Sequence, residues 1–172
     1  MRYLETGQPA ESELAGNYDD NVLNKEVRDN KEVIINNEKL NNKLKMVFEL
    51  SNHSIYNYDI QEMEKVKILR YENGGKYKWH TDTGAKETST RKLTAVIQLS
   101  DETMYEGGDL EFGITDDSGK KNYTAPRTRG SIIIFPSFLS HRVTPITKGR
   151  RYSLITWMNG DTWKWNRITI GS

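Results

Sequence analysis

The spacing of hydrophobic positions turns helical in one stretch of the chain. Over residues 36–50, Leu40, Leu44, Val47 and Phe48 recur at helical intervals, while Glu38, Lys39, Lys43 and Lys45 cover the opposite side. That pattern predicts an amphipathic helix. On either side of it, short runs rich in Val, Ile, Thr, Tyr and Trp predict strands. They fall at 26–35, 54–60, 64–71, 76–80, 91–99, 109–112, 122–125, 131–135, 140–146 and 151–158, with an edge strand at 163–170. Turn signals separate them at Asn73-Gly74-Gly75, Glu106-Gly107-Gly108-Asp109, Asp116-Asp117-Ser118-Gly119 and Lys148-Gly149. Residues 1–25 are polar and read as a loosely ordered lead-in. One helix followed by many closely spaced strands predicts a mainly β fold with flanking α. The expected form is a double-stranded β-helix, or jelly roll, buttressed by the N-terminal helix.

The strand at 91–99 shows how the faces divide. Leu93, Ala95, Ile97 and Leu99 share one face, and Thr94, Val96 and Gln98 share the other. The first face is core. On the second, a hydroxyl and an amide either meet solvent or point into a polar pocket of the sandwich, where each would need a partner.

Composition narrows the field. A chain of 172 residues suits one domain, and 25 Lys and Arg against 24 Asp and Glu leave a formal charge of +1. A main role in coating nucleic acid would call for a strong basic excess. Cysteine is absent, which excludes disulfides, thiolate metal sites and cysteine nucleophiles. No apolar run approaches the length of a membrane span, and residues 1–16 carry no apolar signal core. The expectation is a single cytoplasmic domain over 1–172.

Two histidines draw attention. His80 stands in Trp79-His80-Thr81-Asp82 and His141 in Leu139-Ser140-His141-Arg142-Val143. Alternation lets His80 and Asp82 reach one point from one strand end, and a jelly roll can bring His141 to that point from another strand. Two imidazoles and a carboxylate on one face of a metal form the facial triad of non-haem iron oxygenases, with positions left open for cosubstrate and O₂. The bland alternative is a strand histidine beside an ordinary carboxylate. Arg151 follows ten residues after His141 and is suited to grip a carboxylate bidentately; it could equally be a surface cation beside Arg150. Arg151, Ser153, Ile155 and Trp157 share one strand face.

The stretches YENGGKYKWHTD (71–82), RKLTAVIQLS (91–100), YEGGDLEF (105–112) and GSIIIFPSFLSHRVTPITKGRRYSLITW (130–157) resemble the Fe(II)/2-oxoglutarate-dependent dioxygenase superfamily. Within it they resemble the prolyl 4-hydroxylase-like and PKHD-type hydroxylases. The likeness covers residues 64–158 in detail, the expected catalytic jelly-roll core. It implies that His80, Asp82 and His141 hold Fe(II), and that Arg151 pairs with the far carboxylate of 2-oxoglutarate. It further implies a cosubstrate pocket lined by Tyr71, Thr94, Gln98, Ser153 and Trp157, with Arg91 at a position of substrate contact, although Arg91 reads equally well as a solvated strand end. Some relatives carry a tyrosine where Gln98 stands, and the Gln98 amide can donate in its place.

The implied reaction consumes O₂ and 2-oxoglutarate, releases succinate and CO₂, and hydroxylates an aliphatic carbon, with ascorbate as reductant. The substrate expected first is proline in a peptide or protein. A free amino acid or other small molecule is the alternative, and a non-catalytic jelly-roll binding module is a remote one. Halogenating relatives replace the carboxylate ligand with a small residue, so Asp82 points to hydroxylation. The nucleic-acid-demethylating branch carries a second arginine beyond the first, and 153–159 contains none. The segment 83–90 is either a mobile lid or a solvated hairpin. Tyr77 and Trp79 alternate with His80 and should face away from the metal unless the strand is bulged. His53 reads as surface.

Overall fold

The computed structural model describes residues 26–115, 119 and 121–163. The chain enters at β1 (Lys31–Ile35), turns into α1 (Glu38–Ser51) and passes through a π-helical turn (Asn52–Tyr56). It continues through β2 (Glu62–Met63), β3 (Val66–Glu72), β4 (Tyr77–His80), β5 (Arg91–Gln98), β6 (Tyr105–Gly107) and β7 (Leu110–Thr115). Then follow β8 (Lys121–Thr124), β9 (Ile132–Pro136), β10 (His141–Val143) and β11 (Ile146–Asn159). The major sheet has the order β1-β3-β11-β5-β9, with β2 and β6 also paired to β11; the minor sheet has the order β4-β10-β7-β8. Every pairing is antiparallel. This is the jelly roll expected from the strand pattern.

Helix α1 starts where Asn37 caps it: Asn37 Oδ1 accepts from the Leu40 amide at 2.9 Å. Its buried stripe is Leu44 and Phe48. Phe48 packs with Leu93, Ala95 and Met158, and Leu44 with Val66 and Leu154, on the outer face of the major sheet. Each such side chain contributes about 1.5–3 kcal/mol of burial. The inner face of the same sheet meets the minor sheet through Leu69, Val96, Leu110, Phe112, Phe135 and Val143. β5 is therefore covered on both sides. Thr94 and Gln98 are buried, at 0% and 2% exposure, so their face looks into the sandwich and not to solvent.

Four expectations about elements need correction. Residues 54–60 form no strand. Asn52 closes the chain on itself, with Oδ1 accepting from the Tyr58 amide and Nδ2 donating to the Tyr58 carbonyl, both at 2.9 Å. Asn57 ends the π-helical turn in the left-handed region at φ 51°. The first strand is shorter than 26–35; ahead of it, Arg28 makes only an isolated bridge to Tyr77. Lys148-Gly149 is not a turn between two strands. β11 runs through it, with a register shift between Ile146 and Lys148 and Gly149 at φ +73°. A Cβ there would strike the Met104 carbonyl, so glycine allows β11 to bend from β6 onto β3 and β5. Finally, β2 and β6 are strands that the pattern does not reveal. The expected lead-in at 1–25 and nearly all of the edge strand at 163–170 lie outside the described residues.

Candidate metal centre and its pocket

His80 is the last residue of β4 and pairs directly with His141, the first residue of β10. Asp82 stands two residues beyond the strand end, its amide bonded to the Ser137 carbonyl at 2.8 Å. One ligand atom from each of the three lies within 4.8 Å of the others. His80 Nδ1 donates to the Lys78 carbonyl at 2.7 Å and His141 Nδ1 to the Leu139 carbonyl at 2.9 Å. A carbonyl can only accept, so each Nδ1 carries the proton and each Nε2 presents a lone pair. Those Nε2 atoms face the Asp82 oxygens, at 3.6 Å from His80 to Oδ1 and 3.5 Å from His141 to Oδ2. Two lone pairs converging on a carboxylate suit a bound cation, and the carbonyl bonds fix the ring orientation.

The electrostatics point the same way. Burial alone would raise the Asp82 carboxyl, but its interactions with His80 and His141 and the bond from the Thr94 hydroxyl outweigh it and hold it at about 2. Burial pushes His141 below its ordinary value, against the pull of Asp82. The carboxyl is thereby kept ionised and this imidazole neutral, the forms in which each binds metal. Thr94 Oγ1 donates to Asp82 Oδ2 at 2.8 Å and lies 3.0 Å from Ser137 Oγ. Thr94 therefore orients the carboxylate and does not line the pocket.

β4 is bulged. Val143 pairs with Tyr77 while His141 pairs with His80, so three steps on β4 match two on β10. The shift turns Tyr77 inward, and its ring stacks on His80 with centroids 3.4 Å apart. Trp79 stays outside, 39% exposed, under the Arg142 guanidinium.

A cavity of about 120 Å³ runs from the histidines to Arg151. Arg151 is 1% exposed; its Nη2 donates to Gln98 Oε1 at 2.9 Å, whereas Nε and Nη1 have no partner among the described residues. Two unmet donors on a buried guanidinium cost several kcal/mol unless an anion meets them. Tyr71 pairs with Arg151 across the sheet, its ring 5.6 Å from the guanidinium, and burial pushes its phenol up to about 12, keeping it a donor. Gln98 donates its own amide to the Pro126 carbonyl at 3.1 Å. Its role is to hold Arg151; the expectation that its amide donates into the pocket does not hold. Gly108, at φ +67°, brings the β6–β7 corner close over this end, where a Cβ would meet Ile146 Cδ1 and lie 3.2 Å from Arg151 Cδ.

The family model of the 2OG-Fe(II) oxygenase superfamily matches residues 66–159, the span that carries every one of these groups. The chain belongs to the 2OG-Fe(II) oxygenase superfamily. A PKHD-type hydroxylase of Synechococcus sp. strain CC9311 is 31% identical over 121 residues, covering 66% of this chain and 53% of that protein. The chain thus spans about half the length of the curated relatives it matches. The fold of this oxygenase-family chain is also that of a Pseudomonas putida prolyl-4-hydroxylase (TM-score 0.64, 21% identity, 81% of this chain and 76% of the other). A Trichoplax adhaerens prolyl hydroxylase, solved with a hypoxia inducible factor peptide fragment, is similar at TM-score 0.66 and 18% identity, over 79% of this chain and 65% of the other.

Of the residues singled out in the sequence, Tyr71, Arg91, Ser153 and Trp157 line the cavity together with the three candidate ligands and Arg151. Arg91 is no solvated strand end. It forks onto Glu64 at 2.7 and 2.8 Å and lies 3.8 Å over the Trp157 ring. Tyr77, expected to face away, also lines the cavity, and so do two cations that the sequence reading did not single out, Lys67 and Arg28. Lys67 could have been found, because it shares the strand phase of Leu69 and Tyr71. Arg28 carries no such signal. In the segment 83–90, Thr83 Oγ1 donates to the Thr88 carbonyl at 3.1 Å around a single 3₁₀ turn at Lys86–Thr88.

Proposed function

We propose that the chain is an Fe(II)- and 2-oxoglutarate-dependent hydroxylase acting on an aliphatic carbon, with peptidyl proline as the substrate. One observation carries this reading. Two imidazole lone pairs and a carboxylate converge at one end of a cavity whose other end holds a buried arginine with two unpartnered donors. His80, Asp82 and His141 would hold the iron, leaving positions open for cosubstrate and O₂. Arg151, oriented by Gln98 and backed by Tyr71, would hold the far carboxylate of 2-oxoglutarate. When bound, iron and 2-oxoglutarate supply the oxidising power for hydroxylation by O₂, with succinate and CO₂ as by-products and ascorbate as the expected reductant. The protein's own part is to fix the ligands, present the anchoring cation and exclude water through Val96, Leu110 and Ile155.

The names of the relatives support hydroxylation, and the prolyl hydroxylases that share the fold support proline. No helix among the described residues is long and apolar enough to cross a membrane. The test is incubation with Fe(II), 2-oxoglutarate and ascorbate, with succinate quantified and proline-rich peptides, free amino acids and methylated oligonucleotides scanned for mass change. Peptide oxidation at proline is expected. Hydroxylation of a free amino acid alone would move the substrate class; demethylation of the oligonucleotide alone would overturn the proposal.

A further inference from the structure

The cavity has a second cationic wall besides Arg151. Arg28 and Lys67 both line it, and both are held from behind by one carboxylate. Glu32 Oε2 accepts from Arg28 Nη2 and Oε1 from Lys67 Nζ, each at 2.7 Å. The exposures are unequal. The Glu32 side chain is 9% exposed, against 19% for Arg28 and 25% for Lys67. Glu32 is not among the residues facing the cavity, so the carboxylate sits behind and the cations in front. Asn30 Oδ1 fixes Arg28 further by accepting from Nε at 2.7 Å. Arg91 repeats the arrangement, lining the cavity with Glu64 behind it.

Strand position separates Lys67 from the cosubstrate end. Arg151 pairs with Tyr71, and Lys67 stands four residues earlier on β3, about 13 Å along the strand. The carboxyl carbons of a five-carbon diacid are only about 5 Å apart, well under half of that backbone separation. The wall nevertheless lines the same cavity as the three candidate ligands. Lys67 Nζ lies 6.0 Å from the Trp157 ring, Trp157 pairs with Thr94, and Thr94 bonds Asp82. Among the described residues, Asp82 is the one carboxylate facing a cavity that four cations line, and bound iron would add further positive charge.

We infer that Lys67 and Arg28, braced by Glu32, form a subsite for a carboxylate of the molecule to be oxidised. The inference rests on the proposed hydroxylase reading and deepens it by naming the substrate's chemistry: an acidic group within a residue or two of the reacting carbon. The carboxylate comes either from an acidic side chain beside the target in a peptide or from the main-chain carboxylate of a terminal residue or free amino acid. Cations already fixed by Glu32 and Asn30 lose little freedom when they bind such a group.

The test uses matched probes with the Fe(II)- and 2-oxoglutarate-loaded protein. These are proline peptides with Glu or Gln beside the target, the same peptides with free or amidated C-termini, and proline against prolinamide. Binding is measured anaerobically by calorimetry, and hydroxylation by mass shift. The acidic member of at least one pair should win by about tenfold or more. Lys67→Gln should reduce that preference to about threefold or less, and Lys67→Arg should retain it. Which pair responds identifies the source of the carboxylate. Equal treatment of acidic and neutral members in every pair, or binding by none of them, overturns the inference. So does a preference that survives both Lys67→Gln and Arg28→Gln. If Lys67→Gln fails to unfold cooperatively, the wild-type pairs still decide. Absence of succinate release would sink the hydroxylase reading, while the calorimetric preferences would continue to test the subsite separately.

Discussion

Gln98 and Arg151 meet in the interior across 2.9 Å, with the guanidinium donating and the side-chain carbonyl accepting. The Gln98 amide is taken up by the Pro126 carbonyl. The glutamine can therefore present only its oxygen to the arginine, and the remaining Arg151 donors are turned toward the cavity. Gln98→Ala should weaken 2-oxoglutarate binding about tenfold, the worth of one buried charge-assisted contact. Gln98→Glu should weaken it further, because a carboxylate beside Arg151 competes with the ligand. Titration of both variants with 2-oxoglutarate checks this; wild-type affinity in either would show that Gln98 does not position the arginine.

Neighbouring arginines should behave differently. Arg150 is 45% exposed and pairs with Glu72 at 2.7 Å, whereas Arg151 is buried. Arg151→Ala should reduce 2-oxoglutarate affinity by about a hundredfold or more, and Arg150→Ala by about threefold or less. Calorimetry on the two variants distinguishes them, and equal losses would contradict the assigned strand face.

At the metal end, alanine at His80, Asp82 or His141 should each abolish iron-dependent turnover while the fold persists. Thr94→Val should be milder, lowering metal affinity about 10–100-fold through the loosened Asp82 carboxylate. Metal titration followed by the unfolding midpoint separates loss of ligand from loss of fold. Full activity in any one of the three alanine variants would show that the ligand set is wrong.

Gly108→Ala tests the close approach of the β6–β7 corner. The residue sits at φ +67°, and its new Cβ would press on Ile146 and on the Arg151 stem. A loss of about 1–2 kcal/mol in unfolding free energy is expected, together with weaker 2-oxoglutarate binding. A stable variant with unchanged affinity would mean that the corner has room to move.

The Glu32 bridge should show itself in pH dependence. Burial favours the neutral acid, but the Lys67 hydrogen bond and the charges of Arg28 and Lys67 prevail and hold the carboxyl below its ordinary 4.5. A lowered folded value stabilises the protein above pH 4.5, and that contribution disappears as the pH falls through the folded value. Glu32→Gln should therefore cost about 1–3 kcal/mol at pH 7, and the gap from wild type should narrow as the pH falls below 4.5. Urea unfolding at the two pH values measures it. A gap independent of pH would assign the loss to packing.

Much of the site was legible because its parts obey short-range rules. Alternation places Arg151, Ser153 and Trp157 on one face of β11, and the helical spacing of Leu44 and Phe48 shows which side of α1 is buried. Errors arose where a single side chain overrode the pattern. The run Ser54-Ile55-Tyr56 reads as strand, yet the Asn52 side chain substitutes for a backbone partner and curls it. Tyr77 reads as facing away from His80, yet one extra residue on β4 turns it onto the imidazole.

Local chemistry in the sequence determined which residues could bind metal and which could grip a carboxylate, because those capacities belong to imidazole, carboxylate and guanidinium groups wherever they stand. It also determined the sandwich, through strand period and the placement of glycines. Only the tertiary structure decided what each polar group does. Thr94 and Gln98 sit on the same inward face, but one holds Asp82 and the other Arg151, since each bonds whatever the neighbouring strand brings within about 3 Å. The Arg28–Glu32–Lys67 wall was invisible for the same reason. β1 and β3 are brought side by side by a connection through α1, and nothing local in either segment records that contact.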